Sequence, residues 1–156
     1  NVKGGSVLQL NLGEQNVMFA DTSVSQQDIE FGIKSNLLSI RNKHPKILST
    51  DTTFQTSIFQ KDSAFLQIFD RKMAIISDKK QVARTSSSKL KVDFVLVRNN
   101  PYLSMEEIDE LYDTELVIFD SSNKQNRIDR WKEECSALGQ SYFSVPDSGA
   151  FCFKLY

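Results

Sequence analysis

Val92-Asp93-Phe94-Val95-Leu96-Val97-Arg98-Asn99-Asn100-Pro101 is the stretch that decides the fold. A near-continuous apolar run of strand length, ending abruptly in polar and turn-forming residues, reads as a strand buried on both faces. Moving toward the carboxy terminus, Ser104-Met105-Glu106-Glu107 opens a short helix with a capping-box pattern. Leu116-Val117-Ile118-Phe119 is the next strand, and it ends in Asp120-Ser121-Ser122-Asn123. A helix from about Asn126 to Leu138 carries Ile128, Trp131, Cys135 and Leu138 along one face, with Gly139 as its stop. Ser141 to Val145 and Ala150 to Leu155 read as a closing strand pair, turned through Pro146-Asp147-Ser148-Gly149. The last third is thus βαβαββ, and strand-helix-strand units require parallel neighbours.

Moving the other way, Ser63 to Phe69 and Met73 to Ile76 form a hairpin about Asp70-Arg71-Lys72. The polar connection over 78–91 contains a serine cluster, read as a mobile loop, and most of the chain's main basic run. Val7 to Leu12 alternates with period two and leads through Gly13-Glu14-Gln15-Asn16 to Val17-Met18-Phe19-Ala20, a second hairpin. Between the hairpins, Ile29, Ile33, Leu37 and Ile40 predict a helix over about 25–41. Lys46-Ile47-Leu48 is a short strand, and Phe54, Ile58 and Phe59 lie in an extended or irregular stretch. Antiparallel hairpins beside parallel units predict a mixed α/β fold, with helices covering mixed sheet.

The chain has 156 residues and a formal net charge of −1, from 19 Lys plus Arg against 20 Asp plus Glu. One core serves roughly 100–200 residues, so residues 1–156 are read as a single domain. Balanced charge argues against a polybasic nucleic-acid binder, though it leaves room for a local basic patch. No apolar run approaches the length of about 18 residues that a membrane span needs. The opening Asn1-Val2 reads as the start of a piece excised from a longer protein.

Catalytic and metal chemistry find few side chains here. The chain contains one histidine, His44, and two cysteines, Cys135 and Cys152. Both cysteines fall on faces that read as core, so they are expected to be buried free thiols, with a bridge as the alternative in an oxidising compartment. No Gly-x-Ser-x-Gly elbow presents a nucleophile. Asp120, at a strand end beside Ser121, Ser122 and Asn123, is the best polar candidate, because carboxyl ends of strands are where α/β folds bind ligands. The competing reading is local: Asp120 or Ser122 caps the next helix and Asn123 tightens the loop. Trp131 on the apolar helix face reads as core rather than as a base-stacking platform. Arg71, Lys72, Lys79, Lys80, Arg84, Lys89 and Lys91 form either a solvated face or a phosphate-contacting one. Glu106, Glu107, Asp109, Glu110, Asp113 and Glu115 read as the outer face of a helix near its amino end.

A resemblance adds to this. The opening Val2-Lys3-Gly4-Gly5-Ser6-Val7 and the hairpin ending in Asp21-Thr22 resemble the start of the metallo-β-lactamase fold. Arg98-Asn99-Asn100-Pro101, Asp120-Ser121-Ser122-Asn123, Arg130-Trp131, Cys135 and Gly149-Ala150-Phe151, in that order, resemble the carboxy-terminal domain of Bacteroidetes-type ComEC proteins, the DNA-uptake channels of natural competence. The resemblance implies a metallo-β-lactamase-like sandwich and a polytopic inner-membrane parent that moves single-stranded DNA, with this part a soluble domain on the periplasmic side. It also implies a mouth built from Arg98, Asn99, Asn100, Asp120, Ser121, Ser122 and Asn123, in which Arg98 suits a phosphate.

The chain departs from that family at the metal site. Active members of the metallo-β-lactamase fold hold two metals with several His and Asp side chains; here Arg98 and Asn99 stand where two of those histidines would be. The expectation is a degenerate, non-catalytic accessory domain without metal or cofactor. Its partners are then the membrane-embedded part of the parent and single-stranded DNA. A residual metal-free hydrolase and a purely structural docking module are the alternatives.

Overall fold

The computed structural model describes residues 5–12, 15–20, 24–25, 27, 46–50, 52–62, 64–83 and 87–154. Apart from Ser25 and Gln27, the helix expected over 25–41 lies outside the described residues, as do His44, Asp21 and Arg84. Among the described residues there are two sheets. A three-stranded sheet, in order β1-β2-β3, contains β1 (Val7–Leu12), β2 (Gln15–Ala20) and β3 (Lys46–Ser49). The first pair is antiparallel and the second parallel. The seven-stranded sheet adds β4 (Phe54–Gln55), β5 (Phe59–Lys61), β6 (Phe65–Ile68), β7 (Arg71–Ile76), β8 (Leu90–Val97), β9 (Tyr112–Phe119) and β10 (Tyr142–Ser144). Its order is β10-β9-β8-β7-β6-β5-β4, with β7 to β10 mutually parallel and β4 to β7 antiparallel.

The parallel half explains the layering. From β7 to β10 each strand lies one place further along in the same direction, and right-handed crossovers then put every connection on one face. Helix α1 (Met105–Leu111) and helix α2 (Gln125–Leu138) do share that face. Ala74, Ile76, Val95, Val97, Val117 and Phe119 meet Met105, Ile108, Ile128, Trp131 and Cys135 there. The opposite face carries Met73, Ile75, Phe94, Leu96 and Ile118 against Leu10, Val17 and Phe19 of the small sheet. The result is a helix–sheet–sheet sandwich of mixed strands, as the sequence predicts.

One interruption has a clear cause. Val92 belongs to the helix-side core while Phe94, two residues on, belongs to the other. Between them the Asp93 carboxylate accepts the backbone N–H of Lys72 at 2.7 Å and the Arg71 guanidinium at 2.6 Å. The Thr114 hydroxyl donates to the Asp93 carbonyl at 3.1 Å. Side chains replace ladder bonds at this point, and the strand changes its inward face across it.

Several expectations are corrected. Strand β9 begins at Tyr112, so Asp113 and Glu115 lie on a strand and not on a helix face. The 78–91 connection holds a 3₁₀ turn at Lys79–Gln81, capped by Asp78 and Gln81, and it sends Val82 into the core. Leu138 is 44% exposed instead of continuing the buried face of α2. The closing hairpin does not form. β10 pairs in parallel with β9, and Val145–Ser148 makes a single helical turn, α3, with Pro146 in its first turn where proline is tolerated. Residues 150–154 then run without ladder bonds, and Phe151 and Phe153 pack on Phe94 at centroid distances of 5.5 and 4.8 Å. Aromatic burial, not strand pairing, holds this segment. It leaves Cys152 exposed while Cys135 is buried, and both are free thiols.

Candidate functional site

The carboxyl ends of β8 and β9 are neighbours in a parallel pair, so the loops at Arg98–Asn100 and Asp120–Asn123 come together. Asn99 and Asn100 are consecutive residues in the left-handed region, with φ of 61° and 55°. Asparagine is among the few non-glycine residues that adopt it readily, and two in succession fold the chain sharply back over the strand end. The turned loop exposes backbone donors, and the second loop satisfies them. Asn99 N–H donates to Ser122 Oγ at 2.6 Å and Asn100 N–H to Asn123 Oδ1 at 2.8 Å.

Asn123 is the hub of this network. Its Nδ2 donates to the Val97 carbonyl at 2.7 Å, and to the Asp120 carbonyl and Oδ1 at 3.1 Å each. Asp120 Oδ1 also accepts the Ser122 N–H at 3.0 Å and the Ser122 hydroxyl. Asp120 Oδ2 is buried and accepts no hydrogen bond among the described residues. Arg98 is 6% exposed beneath the loop, where burial pulls its guanidinium below the ordinary arginine range and the Asp120 charge partly offsets that. The seven residues expected at the mouth therefore divide. Arg98, Asp120 and Asn123 are buried, Ser121, Ser122 and Asn100 are half-buried, and Asn99 faces solvent.

The next segment is fastened to α2. The Lys124 N–H donates to Asn100 Oδ1 at 3.2 Å, and Arg127 Nη1 donates to the Pro101 carbonyl at 2.6 Å. The Leu103 carbonyl accepts both Arg130 Nη2 at 2.8 Å and Trp131 Nε1 at 3.0 Å. Trp131 is fully buried and stacked on Phe119 at 5.4 Å, so it is core. Glu134 Oε2 takes the Met105 N–H at 2.8 Å, and Ser104 and Glu107 complete the capping box of α1. Pro101 and Leu103 are pinned inside, and Tyr102 between them is left 69% exposed. Lys79 Nζ and Arg127 Cζ lie 5.7 and 5.2 Å from its ring centroid.

The basic run does not form one patch. Arg71, Lys72, Lys89 and Lys91 lie at the amino ends of β7 and β8, while Lys79 and Lys80 follow the carboxyl end of β7. Arg71 pairs with Asp93, Lys89 with Asp109, and Lys79 with Glu107. Cys135 is no nucleophile, since burial and then the Glu134 charge push its thiol up to about 12.

Sequence reasoning passed over Lys61. It is 2% exposed between the sheets, donating to the Thr50 carbonyl and to the Asp62 carbonyl at 3.0 Å, with Nζ 5.0 Å from the Phe19 ring centroid. Period-two alternation from buried Phe59 was the available signal, because it places Lys61 on the inward face of β5.

Among the described residues, no three His, Cys, Asp or Glu side chains gather as a metal-holding group. The strand-end mouth does not fit a divalent ion either. It offers one buried carboxylate beside a guanidinium cation, and neither amides nor hydroxyls make up the missing charge.

The family model of the ComEC C-terminal domain matches residues 1–155. The chain belongs to that family. Neither the curated proteins nor the solved structures yield a match. Membership in the ComEC family connects the chain with competence DNA uptake and with a membrane-channel parent. Among the described residues no helix is long and apolar enough to cross a membrane.

Proposed function

We propose that this chain is a single non-catalytic accessory domain of a ComEC-type channel, lying on the extracytoplasmic side and guiding single-stranded DNA toward the membrane-embedded part. The observation that carries the reading is the family match along 1–155. The non-catalytic element rests on composition: a chain with one histidine lacks the ligands that a two-metal hydrolase of the metallo-β-lactamase type requires. The helix–sheet–sheet layering is compatible with descent from that fold. In this reading the strand-end mouth is the remnant of the catalytic one. Arg98, Asp120 and Asn123 form its rigid floor, and Asn99, Asn100, Ser121 and Ser122 offer the polar groups that a strand of DNA would meet.

The test is metal content by mass spectrometry after equilibration with zinc or manganese, with a nuclease assay on the same sample. The expected result is no stoichiometric metal and no cleavage. One or two tightly held metals per chain, or cleavage abolished by changing Asp120, would overturn the non-catalytic reading.

A further inference from the structure

Three loops meet at the carboxyl ends of the parallel strands β7, β8 and β9, the location where open α/β sheets place ligands. Beside the mouth this edge carries Tyr102, the most exposed of the large hydrophobic side chains described. Its backbone is not free to fold the ring inward. Buried Pro101 and Leu103 flank it, and α2 holds both of their carbonyls. The aromatic ring is therefore presented outward on a rigid loop, at little further ordering cost to a ligand.

Three cations gather at this edge: Arg127 and Lys79 also serve the fold, through Pro101 and Glu107, whereas Lys124 opens α2. Lys124 stands at the N-cap of α2 without a side-chain capping bond, and no acidic residue lies in the first turn of that helix. Acidic or hydroxyl side chains are the stabilising choice at such an end, and a lysine adds to the positive end of the helix dipole instead of offsetting it. Arg127 follows one turn later against the Tyr102 ring, and Lys79 approaches the ring from the β7 loop. Glu107, which takes Lys79 at 3.3 Å, is the acidic partner among these groups. An exposed ring with cations over it suits a flat aromatic group joined to an anion, which is the chemistry of an unpaired nucleotide.

We infer that Tyr102 is a base-stacking platform for single-stranded DNA, with Lys124, Arg127 and Lys79 meeting the adjoining phosphates. This rests on the DNA-guiding reading and moves its principal contact from the buried Arg98 to the exposed Tyr102. Stacking on one aromatic side chain predicts that Tyr102→Ala weakens binding about tenfold, whereas Tyr102→Trp keeps it. Removing one phosphate contact by Lys124→Ala should lower the slope of log affinity against log salt by about 0.7. Both positions are exposed, so neither change disturbs the core.

The experiment is fluorescence anisotropy of the 156-residue chain and these three variants with a labelled oligothymidylate, at several salt concentrations, with a duplex of equal length as competitor. Loss with Tyr102→Ala, retention with Tyr102→Trp, and single-strand preference over the duplex would support the inference. Binding by the wild-type chain that Tyr102→Ala leaves unchanged would overturn the inference while DNA guiding, through another surface, stands. Binding that responds to Lys124→Ala alone and does not distinguish single strand from duplex would overturn the stacking role. No binding by the wild-type chain even at low salt would overturn both the inference and the DNA-guiding reading.

Discussion

Asn123→Ala should be among the most damaging changes outside the apolar core. The side chain is 7% exposed, so water does not replace what it loses. Its Oδ1 takes the Asn100 N–H at 2.8 Å, and that donor is then left without its side-chain acceptor on a loop in the left-handed region. Its Nδ2 serves the Val97 and Asp120 carbonyls and Asp120 Oδ1. All three acceptors keep other donors: the Asp120 N–H reaches Val97 O and the Asn123 N–H reaches Asp120 O, each at 3.3 Å, and Ser122 holds Oδ1. The cost is therefore dominated by one stranded N–H, that of Asn100, worth about 1–3 kcal/mol when buried. The lost Nδ2 hydrogen bonds add about 1 kcal/mol net, which brings the expected sum to about 2–4 kcal/mol. For a chain of this length 1 kcal/mol moves Tm by about 2–4 °C, so the melting temperature should fall by roughly 4–16 °C. Differential scanning calorimetry of wild type and variant measures it directly. Ser122→Ala, which removes the acceptor for Asn99 N–H at a half-buried position, should cost less. The two changes should couple, because both side chains meet at Asp120 Oδ1. A fall below 1 °C for Asn123→Ala would refute the argument that this amide holds the two strand ends together.

Two further outcomes follow from the same structure. A thiol reagent at neutral pH should titrate Cys152 rapidly and reach Cys135 only on unfolding, because the first is exposed and the second is both buried and held as the neutral thiol; two fast equivalents in the native protein would contradict the burial. Three carboxylates are held below their ordinary values. Burial alone would raise Asp93, but the Lys72 N–H and the Arg71 guanidinium outweigh it; the Ser104 N–H and then Lys79 lower Glu107; Lys132 lowers Asp147. A folded value below the unfolded one stabilises the protein above the unfolded value and loses that contribution as pH falls through the folded one. Melting temperature should therefore be nearly level from neutral pH down to about pH 5 and drop as pH passes below 3.8, the ordinary value for Asp93 and Asp147. Asp93→Asn should flatten part of that acid limb, and an unchanged limb would dismiss Asp93 as a contributor.

Elements with a local cause were legible in the chain. Ser104 and Glu107 sit three residues apart, and that spacing alone makes a capping box. Gly139 ends α2 at φ 69°, as a glycine after the last periodic residue should. The apolar runs at 92–97 and 116–119 became central parallel strands because burial on both faces leaves no polar alternation to write. The closing hairpin failed although Ala150 to Leu155 has the composition of a strand and β10 keeps an open edge: Val145–Ser148 turns helical directly after β10, and Phe151 and Phe153 cover Phe94. Of the candidate site, the two loops could be named from strand ends. Which members point outward could not, since Arg98 and Asn99 are neighbours in sequence with opposite fates, one buried and one in solvent.

By itself the sequence determined the mixed strand and helix content, the βαβα order that forces parallel neighbours, and the scarcity of histidine that argues against a two-metal centre. These follow from periodicity, capping chemistry and composition, all properties of a chain read a few residues at a time. Only the tertiary structure decided that Lys61 is internal, that the basic run is divided between opposite ends of the sheet, and that Tyr102 stands exposed with Lys79 and Arg127 over its ring. Those outcomes depend on which strand ends come together and which loops α2 pins, and side chains 25 or more residues apart meet only after the sheet has ordered its strands.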